Sequence, residues 1–121
     1  MSQEIMAFLD DIFYTAKIRE IAKAHAKDVR FVRDLAGLDK RLAAAAPQTV
    51  LVDLTAETLQ PLELIRRIKE QPEWAHVRVV AYSSHAQAEL MEEASRLGAD
   101  EVLSKSDLTP KLAEIVASTS I

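Results

Sequence analysis

The sequence predicts an α/β domain in which a five-stranded parallel sheet is covered by helices on both faces. Short apolar runs of strand length alternate with helical patterns along the 121 residues, a length that fits one domain over residues 1–121. The apolar runs are mostly continuous, as is typical of parallel strands buried on both faces. Because crossovers between parallel strands are right-handed, five βα units favour the doubly wound, flavodoxin-like strand order 2-1-3-4-5.

Five apolar runs are the predicted strands. The second run alternates apolar and basic residues, which indicates a position at the edge of the sheet. The composition of the third run predicts a strand buried on both faces. The runs are residues 5–9, 29–32, 49–52, 77–82 and 101–103.

In the segments that follow these runs, apolar residues recur at the spacing of an amphipathic helix. Gly98 is predicted to end the fourth helix, since glycine favours the backbone conformation that follows a helix. Thr109 is predicted to cap the last helix and Pro110 to be its first residue. The predicted helices cover residues 13–26, 35–46, 62–70, 89–97 and 110–118.

Composition restricts the classes of function. The net charge of −4 and the pI near 5.4 argue against a protein that binds nucleic-acid phosphates. The chain has no cysteine, which excludes disulfides and thiolate metal sites, and no apolar run approaches the roughly 20 residues of a membrane helix. With only two glycines, a glycine-rich dinucleotide loop is absent. We therefore expect a cytoplasmic protein that contacts neither nucleic acid nor membrane.

Polar side chains follow the predicted strands at their carboxyl ends, where doubly wound sheets bind ligands. Three carboxylates at one edge repel one another, and a divalent cation such as Mg²⁺, which prefers oxygen ligands, would neutralise them. An aspartate there could attack phosphorus, while a lysine and a hydroxyl meet the phosphoryl oxygens. The set consists of Asp10, Asp11, Asp53, Ser83, Ser84 and Lys105.

Over its whole length the chain resembles the receiver domain of bacterial two-component response regulators. Asp10-Asp11 match the acidic pair after the first strand of that family, and Asp53 in TVLVDLT matches its phosphoacceptor. Ser83 in VVAYSSH and Lys105 in GADEVLSK match the Ser/Thr and Lys of the family, at spacings from Asp53 that need no gap.

The resemblance implies a receiver that stands alone, is not an enzyme, and takes its phosphoryl group from a sensor histidine kinase or phosphotransfer protein. Asp53 would be the nucleophile, Lys105 would pair with a phosphoryl oxygen, and Ser83 would donate to another. Output would pass to a downstream protein partner, since no effector domain fits in the remaining residues. The implied Mg²⁺ ligands are Asp10, Asp11, Asp53 and the backbone carbonyl of Thr55.

Several positions depart from the family pattern. Ser106 stands where proline is usual, and Val102 where an aromatic residue is usual. Ser84 and His85 are polar beside the pocket, where alanine commonly follows the Ser/Thr of the family. Two alternatives therefore stay open. One is a pseudo-receiver, which would use the fold as a phosphorylation-independent docking module. The other is a small hydrolase built on the acidic pocket, for which His85 is the one evident base.

Overall fold

A computed structural model describes residues 5–44, 47–83 and 87–118. Its strands all pair in parallel, in the order β2-β1-β3-β4-β5, so the predicted sheet is confirmed. Each strand lies within one or two residues of the predicted run. The strands are β1 (Ile5–Phe8), β2 (Val29–Val32), β3 (Thr49–Asp53), β4 (Arg78–Ser83) and β5 (Glu101–Ser104).

Helices connect the strands and cover both faces. Gly98 directly follows Leu97, the C-cap of the fourth helix, with a φ of 107°, which confirms its predicted place at that helix end. No helix in the described ranges is long and apolar enough to span a lipid bilayer. The helices of these ranges are α1 (Ile12–Ala24), α2 (Leu35–Ala44), α3 (Pro61–Glu70), α4 (Ala88–Arg96), α5 (Lys105–Leu108) and α6 (Leu112–Ser118).

The predicted start of the last helix is wrong. Helical backbone begins at Lys105, because Ser104 is the N-cap and its Oγ accepts a hydrogen bond from the N–H of Asp107 at 3.1 Å. Thr109 already has helical angles, and its hydroxyl donates to the carbonyl of Lys105 at 2.9 Å. Pro110 lacks an N–H, so it sits in a 3₁₀ turn between α5 and α6. Lys105 is therefore held in the first turn of a helix.

Two apolar layers enclose the sheet. Side chains of α2, α3 and α4 pack on one face, against Val50, Val52 and neighbouring strand residues. Side chains of α1 and α6 pack on the other face, against Leu51, Val80 and Tyr82. Every residue of β3 is buried, so this central strand fixes the carboxyl edge at which the polar residues meet.

Candidate functional site

Asp53 ends the central strand and is 4% exposed. Its Oδ1 accepts two hydrogen bonds from Thr55, one from the backbone N–H at 2.9 Å and one from the hydroxyl at 2.5 Å. The backbone carbonyl of Thr55 accepts from the N–H of Glu57 at 2.9 Å and keeps one lone pair for another partner. These bonds fix the orientation of the Asp53 carboxylate, and none of them involves its Oδ2.

Asp11 and Lys105 form a direct contact at the same edge. The ammonium of Lys105 donates to Oδ2 of Asp11 at 2.7 Å. The other oxygen of Asp11 caps α1 by accepting from the N–H groups of Phe13 at 3.0 Å and Tyr14 at 3.2 Å. Both oxygens of Asp11 are thus engaged, and its charge is compensated by Lys105 rather than left to repel other carboxylates.

This environment perturbs the acidity of Asp11. The hydrogen bond from Lys105 is the largest influence and lowers the pKa of Asp11 below its ordinary value, against an opposing effect of burial. The backbone N–H groups of Tyr14 and Phe13 also lower this pKa, since they bond the charged form. Asp11 is therefore ionised over the whole neutral range.

The carboxylates do not form a ready-made metal cage. Asp10 is exposed, and no three carboxylate or imidazole side chains of residues 5–44, 47–83 and 87–118 lie close enough together to hold a metal ion. The donor chemistry nevertheless fits Mg²⁺, because Asp10, Asp11 and Asp53 offer only oxygen at one edge of the sheet. Oδ2 of Asp11, one of these oxygens, already accepts a hydrogen bond from Lys105.

Ser83 is the last residue of β4 and is completely buried. It lies beside Ser104 in the pairing of β4 with β5 and next along the chain from Tyr82, which pairs with Asp53. Ser83 is thus on the strand next to Asp53, one residue beyond the register partner of Asp53. Ser84 and His85, the other polar residues predicted near this edge, lie outside the described residues.

Two tyrosines near these residues escaped the sequence reasoning. The ring centroids of Tyr14 and Tyr82 are 5.3 Å apart, and the ammonium of Lys105 lies 4.6 Å from the centroid of the Tyr14 ring. Tyr14 also hydrogen-bonds Thr109 through its hydroxyl at 3.1 Å. In the sequence Tyr14 is one residue of a predicted helix and Tyr82 the last residue of a predicted strand, and only the position of Tyr82 directly before Ser83 indicated proximity to the site.

Comparison with protein families gives one match. A model described as the response regulator receiver domain matches residues 8–117, a span that includes Asp10, Asp11, Asp53, Ser83 and Lys105. A search of curated proteins returned no match.

Solved structures with the same fold include three signalling proteins. A response regulator described as putative, from Chloroflexus aurantiacus, superposes with a TM-score of 0.83 at 13% identity, covering 98% of each chain. The receiver domain of a histidine kinase from Syntrophus aciditrophicus gives 0.81 at 19% identity, covering 96% of this chain and 88% of that one. The phosphorylated cyanobacterial phytochrome response regulator RcpA gives 0.78 at 22% identity, covering 98% and 91%. At these identities the likeness shows the fold.

Proposed function

We propose a phosphoacceptor function from one premise: the chain belongs to the response regulator receiver domain family. Receiver domains are signalling domains of two-component systems and are generally not enzymes in their own right. The finer proposal is that Asp53 of this chain accepts a phosphoryl group from a sensor histidine kinase or a phosphotransfer protein.

The burial of Asp53 carries this proposal. It is the only buried acidic residue in the part of the chain that the structure describes, and no described cation forms an ion pair with it. A buried carboxylate without a cation is costly, so structural acids at such positions normally have one. Lys105, the cation predicted at this edge, pairs with Asp11. An uncompensated buried carboxylate at a ligand-binding edge is expected of a nucleophile.

The reaction at Asp53 is a phosphoryl transfer. Oδ2 would attack phosphorus, forming an O–P bond while the N–P bond of the donor phosphohistidine breaks and the imidazole leaves with the electron pair. Since Oδ1 is held by Thr55, the attacking oxygen needs no reorientation of the whole carboxylate. The product is an acyl phosphate on Asp53, which hydrolysis returns to the free carboxylate.

Charge balance favours a divalent cofactor at this edge. Asp10, Asp11 and Asp53 with Lys105 carry a formal charge of −2, which one divalent cation would neutralise. The proposed ligands of Mg²⁺ are Asp10, Asp11, Asp53 and the backbone carbonyl of Thr55. When bound, the ion supplies positive charge next to the phosphoryl oxygens.

Lys105 and Ser83 are the proposed partners of the incoming phosphoryl oxygens. Exchange of its bond to Asp11 would free the ammonium of Lys105 to pair with one oxygen, and Ser83 would donate its hydroxyl to another. In this scheme Lys105 changes partner between the free and the phosphorylated domain, and Asp11 changes partner with it.

The phosphodonor protein is proposed to dock on the beginning of α1. Ile12 and Phe13 are the large apolar residues most exposed to solvent in the described ranges, at 66% and 83%. The backbone N–H of Phe13 bonds Asp11, so this apolar pair is continuous with the site. A partner that covers it would exclude water from Asp53 during transfer.

Beryllofluoride, which mimics a phosphoryl group on a carboxylate, tests the acceptor role. With Mg²⁺ present it should raise the melting temperature of the wild type and give a bound ¹⁹F NMR signal, and Asp53→Asn should remove both. Asp39→Asn is the matched control, because Asp39 is an exposed carboxylate paired with Arg67 on α3. If wild type and Asp53→Asn respond alike, the chain acts without phosphorylation, as a docking module.

The docking surface has a separate test. Phe13→Ser should leave labelling by a small phosphodonor unchanged and should slow transfer from a phosphorylated histidine phosphotransfer protein that labels the wild type. Equal slowing of both reactions would show that Phe13 serves the site itself and not the donor protein.

A further inference from the structure

Tyr82 stands beside Asp53 in the sheet. The two residues are paired across β3 and β4. Neighbours paired in a parallel sheet point to the same face, so the Tyr82 ring and the Asp53 carboxylate share the face covered by α1 and α6. The hydroxyl of Tyr82 therefore lies on the face of the sheet that holds the Asp53 carboxylate, close enough for the charge of Asp53 to raise the pKa of Tyr82.

The two neighbouring phenols differ in how their hydroxyls are satisfied. The hydroxyl of Tyr14 is bonded to Thr109. The hydroxyl of Tyr82, whose side chain is 1% exposed, has no hydrogen-bond partner among the described residues. Buried hydroxyls nearly always have a partner, because leaving one unpaired destabilises the fold.

The surroundings of this hydroxyl are acidic. Burial is the main cause that raises the pKa of Tyr82 far above its ordinary value, and the carboxylate of Asp53 is the next, ahead of Asp11 and Asp10. A phenol is protonated at neutral pH, so this hydroxyl is a hydrogen-bond donor that the described residues leave without an acceptor.

We propose that Tyr82 is a positioning residue of the phosphoacceptor site, whose hydroxyl is left unpaired in the free domain and donates to an oxygen of the anion bound at Asp53. This inference rests on the proposed function. It assigns to this chain a donor in addition to Ser83 and Lys105, supplied by the strand residue directly before Ser83. Because the buried hydroxyl is unpaired in the free domain, binding of the anion would give it an acceptor and would remove the destabilisation that the unpaired hydroxyl causes.

The two tyrosines make a matched pair of variants. Tyr82→Phe should raise the melting temperature of the metal-free protein, because it deletes an unpaired buried hydroxyl, yet weaken beryllofluoride binding in Mg²⁺ by about tenfold. Tyr14→Phe should lower the metal-free melting temperature, because it deletes a satisfied hydroxyl, and leave beryllofluoride affinity within about twofold of the wild type.

The outcomes separate this inference from the proposed function. Failure of the wild type to bind beryllofluoride would remove the proposed function, and this inference with it. Wild-type affinity in Tyr82→Phe would overturn the positioning role alone. A lower metal-free melting temperature in Tyr82→Phe would also overturn it, since the hydroxyl would then be satisfied in the free domain.

Discussion

The ammonium of Lys105 is 2.7 Å from Oδ2 of Asp11, whereas the carboxylate of Asp53 accepts hydrogen bonds from Thr55. Asp11 is at the same time the N-cap of α1, so one carboxylate joins the first turn of α1 to the first turn of α5. The carboxyl edges of β1 and β5 are thereby connected across the site. This arrangement determines what removal of Asp11 should do.

Asp11→Ala should destabilise the metal-free protein. We expect a loss of about 1–2 kcal/mol in the free energy of unfolding, because the variant removes an N-cap and a partly exposed ion pair. Asp11→Asn keeps a capping oxygen, so it should lose less than about 1 kcal/mol. Urea unfolding at neutral pH measures both variants.

Asp10→Ala is the matched control for that pair, because Asp10 is exposed. Its free energy of unfolding should stay within about 0.5 kcal/mol of the wild type. An increase in stability for Asp11→Ala would contradict the account, since repulsion among the carboxylates would then outweigh the cap and the ion pair.

The ion pair also predicts how stability depends on pH. The pKa of Asp11 lies below its ordinary value of 3.8 in the folded protein, mainly through Lys105. The unfolded chain therefore takes up a proton first as the pH falls, so this stabilisation is complete above about pH 3.8 and is lost as the pH falls through the folded pKa. Urea midpoints measured from about pH 5 down to about pH 2.5 should fall less steeply in Lys105→Met than in the wild type. Parallel curves for the two proteins would show that Lys105 does not set this pKa.

The side chain of Val102 predicts that phosphorylation causes only a small structural change in the fifth strand. Val102 is a residue of β5 and lies opposite Ala81 of β4. Its side chain is partly buried and packs against the layer formed by α2, α3 and α4. A β-branched side chain with one stiff torsion cannot turn between solvent and the interior as a ring does, so the two states should differ little there. NMR shift changes on phosphorylation should centre on Asp53, Ser83 and Lys105, and stay slight over residues 89–103.

Val102→Tyr should enlarge the NMR shift changes on phosphorylation over residues 89–103. An aromatic ring at this position could turn either towards solvent or towards the interior, so its packing could differ between the two states. Large, cooperative shifts across α4 and β5 in the wild-type protein would contradict this account. They would mean that another element of the domain transmits the signal.

The sheet could be predicted because burial dictates its sequence. β3 is buried at every residue, and its alternation with helical segments along the chain indicates a strand at the centre of a parallel sheet. The carboxyl-edge positions of Asp53, Ser83 and Lys105 follow from strand order alone. The resemblance to receiver domains rested on these positions and on Asp10-Asp11, and the family match confirms it.

The wrong start of the last helix arose where two local rules compete, and the contacts that the sequence did not reveal depend on distances in the folded chain. Thr109-Pro110 satisfies the pattern of a helix start, but Ser104 provides an earlier cap, and the helix extends from there. The choice of Lys105 between Asp11 and Asp53 is likewise invisible in the sequence, because it depends on where the first turn of α5 places the ammonium. The unpaired hydroxyl of Tyr82 could not be predicted from the sequence either, because it depends on which polar groups surround it in the folded chain.

Phosphorylation of Asp53 is the central claim, and intact-mass spectrometry after incubation with acetyl phosphate and Mg²⁺ tests it most directly. The account predicts a single added phosphate that is lost at alkaline pH, is absent without the metal and is absent in Asp53→Asn. Only unmodified wild-type protein at saturating donor and metal, or the same phosphate in Asp53→Asn, would contradict it.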